Sequence, residues 1–198
     1  MNRNDSFTGP DAGQGHHAIR KLWPHERDLY IAHLIRLDRQ SRVDRFGMLM
    51  SDEALRHYAD DSFWIGGIVH AYVEDGLVRA AGELQGLLEF PRTSAEAAFS
   101  VEEGWRQRGI GGQLFEAIRL SAKNRNLAAL EIICHPGNRA MLALARRHGM
   151  QIVMEEGEVH GRARLDLRSA SSLFDEAMGD ASAAVSSIID LQRNLSGH

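Results

Sequence analysis

The residues best suited to chemistry in this chain crowd into one short run, Arg106-Gln107-Arg108-Gly109-Ile110-Gly111-Gly112. Two guanidinium groups and three glycines stand just where apolar residues begin to recur at helical spacing, at Ile110, Leu114 and Ile118 with Phe115 on the flank. A helix therefore starts there. The unpaired N–H groups of its first turn point out of its end, the macrodipole adds about half a positive charge, and glycines let a bulky anion reach the backbone. The run reads as a cradle for a diphosphate. Spacing argues against two common carriers. A Walker loop needs a Lys-Ser/Thr pair after its last glycine, and none follows here, so nucleoside triphosphate hydrolysis is not expected. A dinucleotide fingerprint needs a third glycine where Leu114 stands, and no acidic residue ends a second strand about 20 residues on, which disfavours NAD. An ordinary strand-to-helix turn uses the same residues, so the surrounding elements must decide.

Those elements are legible from period and punctuation. A short strand is expected over His17 to Trp23. A helix opened by Pro24 runs to Leu37, an irregular one to Phe46, and a third, capped by Ser51, to Ala59. Arg36, Arg39, Arg42 and Arg45 recur every third residue. The preferred reading is a solvated face paired with Asp38 and Asp44, an anion-recognising edge the alternative. Apolar runs at Phe63 to Val73 and Leu77 to Leu88, joined by the hairpin turn Glu74-Asp75-Gly76, and a third at Ser94 to Val101 after the Pro91-Arg92-Thr93 turn, form an antiparallel meander. The loop follows, then a helix to about Asn124, a strand Leu127 to Cys134, a helix Pro136 to His148 closed by Gly149, and strands Ile152 to Glu156 and Ala163 to Leu167.

Composition sets outer bounds. The chain has 198 residues, 43% hydrophobic and 25% charged, enough for one domain with a sizeable core. A net charge of -4 supplies no basic field for nucleic acid or an anionic membrane. A lone Cys134, no membrane-length apolar run and no signal-peptide core point to the cytoplasm. Residues 1–16 read as a flexible tail. His16-His17 lacks companion ligands, so no metal site is expected. After a linker at Ser169-Ala170-Ser171-Ser172, the residues Phe174, Met178, Ala181, Val185, Ile188 and Leu195 make an apolar helix stripe. Packing across the chain's own sheet is the preferred use of it, a dimer seam the alternative, so the chain is a monomer or a homodimer.

The order β-α-α-β-β-β-α-β-α-β-β with this loop between strand and helix resembles the GNAT superfamily of acyl-CoA-dependent N-acyltransferases. Arg106-Gln107-Arg108-Gly109-Ile110-Gly111 matches its [QR]-x-x-G-x-[GA] motif. The stretch Asn138 to Met150 is similar to its N-x-x-A-x-x-L-Y-x-x-x-G-F helix. The resemblance covers residues 17–168, leaving 169–198 as a C-terminal extension. It implies an α+β fold: a mixed sheet of about seven strands, splayed where CoA binds and flanked by helices.

It also implies roles. The amides of Gln107 through Gly112, among them those of Arg108, Gly109 and Gly111, would hold the CoA pyrophosphate, with Arg106 and Arg108 charging the rim. Phe99, Ser100 and Val101 would line the pantetheine arm, and Asn138 would stand near it. Acetyl-CoA is the implied co-substrate, without a metal, and a primary amine the acceptor, either a small molecule or a protein lysine as in the bacterial branch that acetylates proteins. Acyl transfer needs a base for the amine, a donor for the developing oxyanion and a proton for the thiolate. Glu96 matches the base of the lysine-acetylating branch. Glu83 is the second candidate and Glu102 the third. The N–H of Val101 is the candidate oxyanion donor. The family's tyrosine acid falls on Ala145, which donates nothing; Cys134 and His135 are weak substitutes. A CoA-binding sensor without turnover is the alternative function.

Overall fold

The computed structural model describes residues 17–64, 67–87 and 93–196. The expected tail at residues 1–16, Leu88, and Pro91 and Arg92 of the expected turn lie outside the described residues. Seven strands form one sheet: β1 (His17–Lys21), β2 (Ile68–Glu74), β3 (Leu77–Gln85), β4 (Ser94–Val101), β5 (Ala129–Cys134), β6 (Gln151–Glu155) and β7 (Glu158–Arg164). Their spatial order is β1-β2-β3-β4-β5-β7-β6, antiparallel throughout except for the parallel pair β4/β5. This is the mixed α+β architecture expected from the sequence.

Helices α1 (Arg27–Arg36), α2 (Arg39–Phe46) and α3 (Asp52–Trp64) cover one face of the β1–β4 half. Tyr30, Leu34 and Leu55 close a core there with Val69, Ala71 and Ala81 of the sheet. The opposite face is covered by α4 (Ile110–Asn124). Its apolar stripe Ile110, Leu114, Phe115 and Ile118 is buried against Ala80, Leu84, Ala97 and Phe99. The same core continues under α5 (Arg139–Arg147) through Met141 and Ala145. Gly82 is required where α4 and β4 meet: a Cβ there would lie 3.0 Å from the Phe99 ring and 3.2 Å from Ile118.

Four expectations need correction. The helix α3 runs through Phe63 to Trp64, so the strand expected from Phe63 starts at Ile68; Phe63 packs edge-on against Tyr30 at 6.1 Å, inside the α1/α3 layer. The last strand is Glu158–Arg164 and not Ala163–Leu167, because Glu156 (φ 51) and Gly157 (φ 88) make a tight left-handed hairpin turn immediately after β6. The arginine ladder is a solvated face only at Arg36 and Arg39, which are exposed, and its members do not pair with Asp38 and Asp44 as expected. Arg36 bonds Glu102, Arg42 bonds the carbonyls of Ile35, Leu37 and Met50, and Arg45 reaches Glu83 and Tyr58.

The fourth correction concerns α6 (Ala170–Ser196). Ser169 caps it through the Ser172 amide at 3.1 Å, so the expected linker supplies its first turn. The helix packs on the chain's own β1 and α4, but through its polar and small face. Ser172, Ala183 and Ser187 are buried, Glu176 bonds Asn124 and Arg125 at 2.8 Å each, and Asp180 and Asp190 pair with Lys21 and Arg20. The predicted apolar stripe faces the other way: Phe174, Met178, Ala181, Val185 and Ile188 are exposed. The side chain of Leu195 lies outside the described set.

Candidate active site

The site begins where two neighbouring strands part. β4 pairs with β3 from Glu96↔Gln85 to Val101↔Ala80, but with β5 only at Ser94↔Ala129, Ala95↔Leu130 and Glu96↔Glu131. Two bonds fix which edge of β4 each residue serves. The Glu102 amide donates to Arg79 on the β3 side at 3.0 Å, and the Thr93 carbonyl accepts from Ala129 on the β5 side at 3.1 Å. Backbone groups of successive strand residues point to opposite edges. The N–H and C=O of Ala97 and Phe99 and the N–H of Val101 therefore face the opening between β4 and β5, available to an extended polar chain, while the Val101 carbonyl accepts from Arg106.

The loop after β4 closes one end of that opening. A 3-10 turn at Glu103–Trp105 leads to Arg106 and Gln107, and Gly109 takes φ 79 at the N-cap of α4. Glycine is suited to this left-handed position. The first intrahelical bond runs from the Gly112 amide to the Gly109 carbonyl at 3.1 Å, which leaves the amides of Ile110 and Gly111 without intrahelical acceptors. The expected anion cradle is thus formed at the mouth of a cleft of about 290 Å³.

Of the residues expected to hold CoA, Phe99, Ser100, Val101, Arg106, Gln107, Gly109, Gly111 and Asn138 line this cleft. Arg108 and Gly112 do not. The Arg108 guanidinium sits 5.7 Å from the Trp105 ring centre, and Gly112 lies further in, where a Cβ would come 3.5 Å from His148 Nε2. Arg106 is engaged by the protein itself. It donates to Asp38 at 2.9 Å and to Ser41 on α2, and to the Val101 carbonyl at 3.3 Å. Asn138 caps α5 by accepting from the Met141 amide at 2.9 Å, and its Nδ2 donates to the Asp44 carbonyl at 3.1 Å.

The register places Glu83 and Glu96 on one face of the sheet: Glu83 stands opposite Ala98, and Gln85 opposite Glu96. Their environments differ. Glu83 is 1% exposed and accepts through Oε2 from Arg45, Tyr58 and Gln85, while its Oε1 has no hydrogen-bond partner among the described residues. Glu96 is half-buried at the apex of the splay. Burial lifts its carboxyl above the usual carboxylate range; Arg45 opposes this, and Glu131, Glu83 and Glu158 reinforce it. Glu102, the third candidate, stands apart at the strand end, held by His33, Arg36 and Arg79.

Ala145 is fully buried in the core beneath α5. Cys134 is also buried, which raises its thiol, and His135 is paired with Asp44 at 2.8 Å. Ser41, Asp44 and Arg45 line the cleft, and Tyr58 meets Arg45 and Glu83 from α3. For Arg45 this follows the alternative reading of the ladder as an edge beside the site; for Ser41 and Tyr58 the sequence indicates only a helical position. No group of His, Cys, Asp and Glu suited to hold a metal ion is found among the described residues.

A sheet splayed after Glu96, a free strand edge and a glycine-lined helix start are the features of an acyl-CoA-binding acetyltransferase fold. Residues 20–150 match the model of the "Acetyltransferase (GNAT) family", and the chain belongs to that family. Among solved structures it is similar to the GNAT domain of S. lividans PAT, at 19% identity and a TM-score of 0.65, covering 74% of this chain and 89% of that one. It is also similar to yncA, a putative acetyltransferase from Salmonella typhimurium solved with its cofactor acetyl-CoA (14% identity, TM-score 0.61, covering 78% and 97%). A third is ribosomal-protein-alanine N-acetyltransferase from Brucella melitensis (19% identity, TM-score 0.59, covering 75% and 99%). No curated protein sequence matches the chain.

Proposed function

We propose that residues 17–168 form an N-acetyltransferase unit that moves an acetyl group from acetyl-CoA to a primary amine by direct attack, with Glu96 as general base. The observation that carries this reading is the free β4 edge running from Glu96 at the apex to the helix start at Gly109. Acetyl-CoA supplies the activated acyl group; the chain supplies its seat. The amides of Gln107, Gly109 and Gly111 bind the pyrophosphate at the positive end of α4. The backbone edge of Phe99, with Ser100 and Val101 beside it, pairs with the pantetheine arm. Arg106 and Asn138 act indirectly, by locking α2 and α5 around the cleft. Arg108 is held at the loop's rim over Trp105, and Gly112 completes the first turn of the helix.

Glu83, Glu131 and Glu158 all raise the Glu96 carboxyl against the opposing Arg45, and this acidic surrounding, only partly offset by Arg45 and by Arg162 on Glu131, favours a cationic acceptor. This suits both a small amine and a protein lysine. Glu96 takes a proton from the ammonium, directly or through water; its raised carboxyl brings it nearer the working pH of a base. The Val101 N–H stabilises the oxyanion. No side chain is assigned to the leaving thiolate, which is released to water. Glu83, locked by Arg45 and Tyr58, shapes the field around Glu96 and does not move protons itself.

Binding is tested by thermal melting. Acetyl-CoA at millimolar concentration raises the melting temperature by mass action, and Gly109→Glu abolishes the shift by placing a carboxylate in the cradle. The Cβ at that position meets nothing within 4 Å, so loss of binding reports charge and the φ 79 strain, not a collision. No shift at all would refute the reading. A shift without turnover on any amine would instead leave a CoA-binding sensor.

A further inference from the structure

His33 has no task in the transfer described above, yet it is fully buried on α1 between two residues of the β4 end. Its Nε2 lies 2.9 Å from Ser100 Oγ, and its Nδ1 lies 3.1 Å from Glu102 Oε1. Glu102 is itself fixed by Arg36 at 2.8 Å and Arg79 at 3.2 Å. The proton positions follow from the partners. A carboxylate can only accept, so Nδ1 carries the hydrogen, Nε2 keeps its lone pair, and the Ser100 hydroxyl donates to it. Burial lowers the pKa of the His33 imidazole and keeps it neutral. At Glu102, burial acts upward but is outweighed by hydrogen bonds from His33 and Arg36, so the carboxyl stays ionised.

Nucleophile, base and orienting carboxylate thus stand in line. Ser100 lines the cleft, and the next amide, Val101, is turned to the open strand edge. The amide after the nucleophile is also an oxyanion donor in the serine hydrolase elbow. Merely fastening α1 to β4 does not call for these groups: burying ions costs several kcal/mol each, and an apolar contact at that seam avoids it.

We propose that Ser100, activated by His33 and with Glu102 as the orienting residue, accepts the acyl group of acyl-CoA as a serine ester and hydrolyses it when no amine is present. The inference rests on the acyl-CoA site proposed above. Ser100 Oγ forms a bond to the thioester carbonyl carbon and passes its proton to His33 Nε2. The C–S bond breaks, and that proton leaves on the CoA thiol. Water then attacks the ester carbon and gives its proton to His33, which returns it to Ser100 Oγ, so that a carboxylic acid is released and the serine restored.

The test is incubation of the intact chain with acetyl-CoA alone, with acid quenching, peptide mass mapping and a thiol-release assay in parallel. The expected result is one acetyl group on Ser100 and amine-free thiol release that falls about 100-fold in Ser100→Ala. Ser100→Cys keeps an adduct, now as a hydroxylamine-labile thioester. An unmodified Ser100 in a chain that acetylates amines would overturn this inference alone, as would thiol release equal in Ser100→Ala. A chain whose melting temperature ignores acetyl-CoA would overturn the proposed function together with it.

Discussion

Glu83 and Glu96 share a residue type and a sheet face, yet their surroundings suit them to opposite duties. Glu83 balances the buried Arg45, so Glu83→Gln leaves that charge uncompensated and lowers stability by about 3 to 5 kcal/mol, measurable by urea denaturation. Glu96 is half-exposed with its carboxyl raised by burial. As the proposed base it acts only when ionised, so kcat/KM is expected to rise with pH through a pKa above the ordinary carboxylate range. Glu96→Gln removes that limb and lowers the rate by about 100-fold or more. Activity across the pH range that survives Glu96→Gln in full contradicts the assignment. At this scale the sequence was informative about residue types and silent about partners. The glycine loop was legible because helix-start chemistry is local, and Glu96 was singled out only through the family resemblance. Arg45, Tyr58 and His33 were not, because the docking of α1–α3 on the sheet brings together residues far apart in sequence.

Elements follow the same division. Period 2 and turn glycines located the meander, and the β4 limits Ser94 to Val101 were read from the sequence as they are found. The last strand was misplaced because EVHGRAR lacks an apolar run; Gly161 is there so that Ile132 can pack, a Cβ falling 2.7 Å from its Cγ1. Gly161→Ala is expected to cost about 1 to 3 kcal/mol by overpacking. Helix α6 shows that an apolar stripe does not always face the core. Polar partners on α4 and β1, chiefly Asn124, Arg125, Arg20 and Lys21, draw its polar side inward. Calorimetry is expected to show Glu176→Ala as destabilising by about 1 to 2 kcal/mol, since it removes an acceptor that Ser121, Asn124 and Arg125 share. Phe174→Ser, on the exposed stripe, is expected to change stability by less than about 0.5 kcal/mol.

The sheet is covered by helices on both faces, and among the described residues His33 and His70 are buried with burial favouring the neutral imidazole. His70, bonded to Ser121 between β2 and α4, has its pKa lowered by burial from 6.5 to about 4, and His33 is shifted in the same direction by the same cause. The unfolded chain binds these protons first as pH falls, so stability is full above about 6.5 and is lost as the solution is acidified toward 4. For His70 alone the loss approaches about 3 kcal/mol at the lower end. His70→Gln should flatten the acid limb of a melting-temperature profile. No helix among the described residues is long and apolar enough to cross a membrane. One domain-sized fold combines the helix-start loop of its family with the carboxylates at the splay that the proposed amine acceptor would meet.

That combination is tested most directly by thiol release from acetyl-CoA across a panel of small amines and lysine peptides, comparing the native chain with Glu96→Gln. Release stimulated by amine above the amine-free rate, rising with pH and falling back to the amine-free rate in Glu96→Gln, is the predicted result. No stimulation by any amine offered, or stimulation unchanged by Glu96→Gln, would contradict the account.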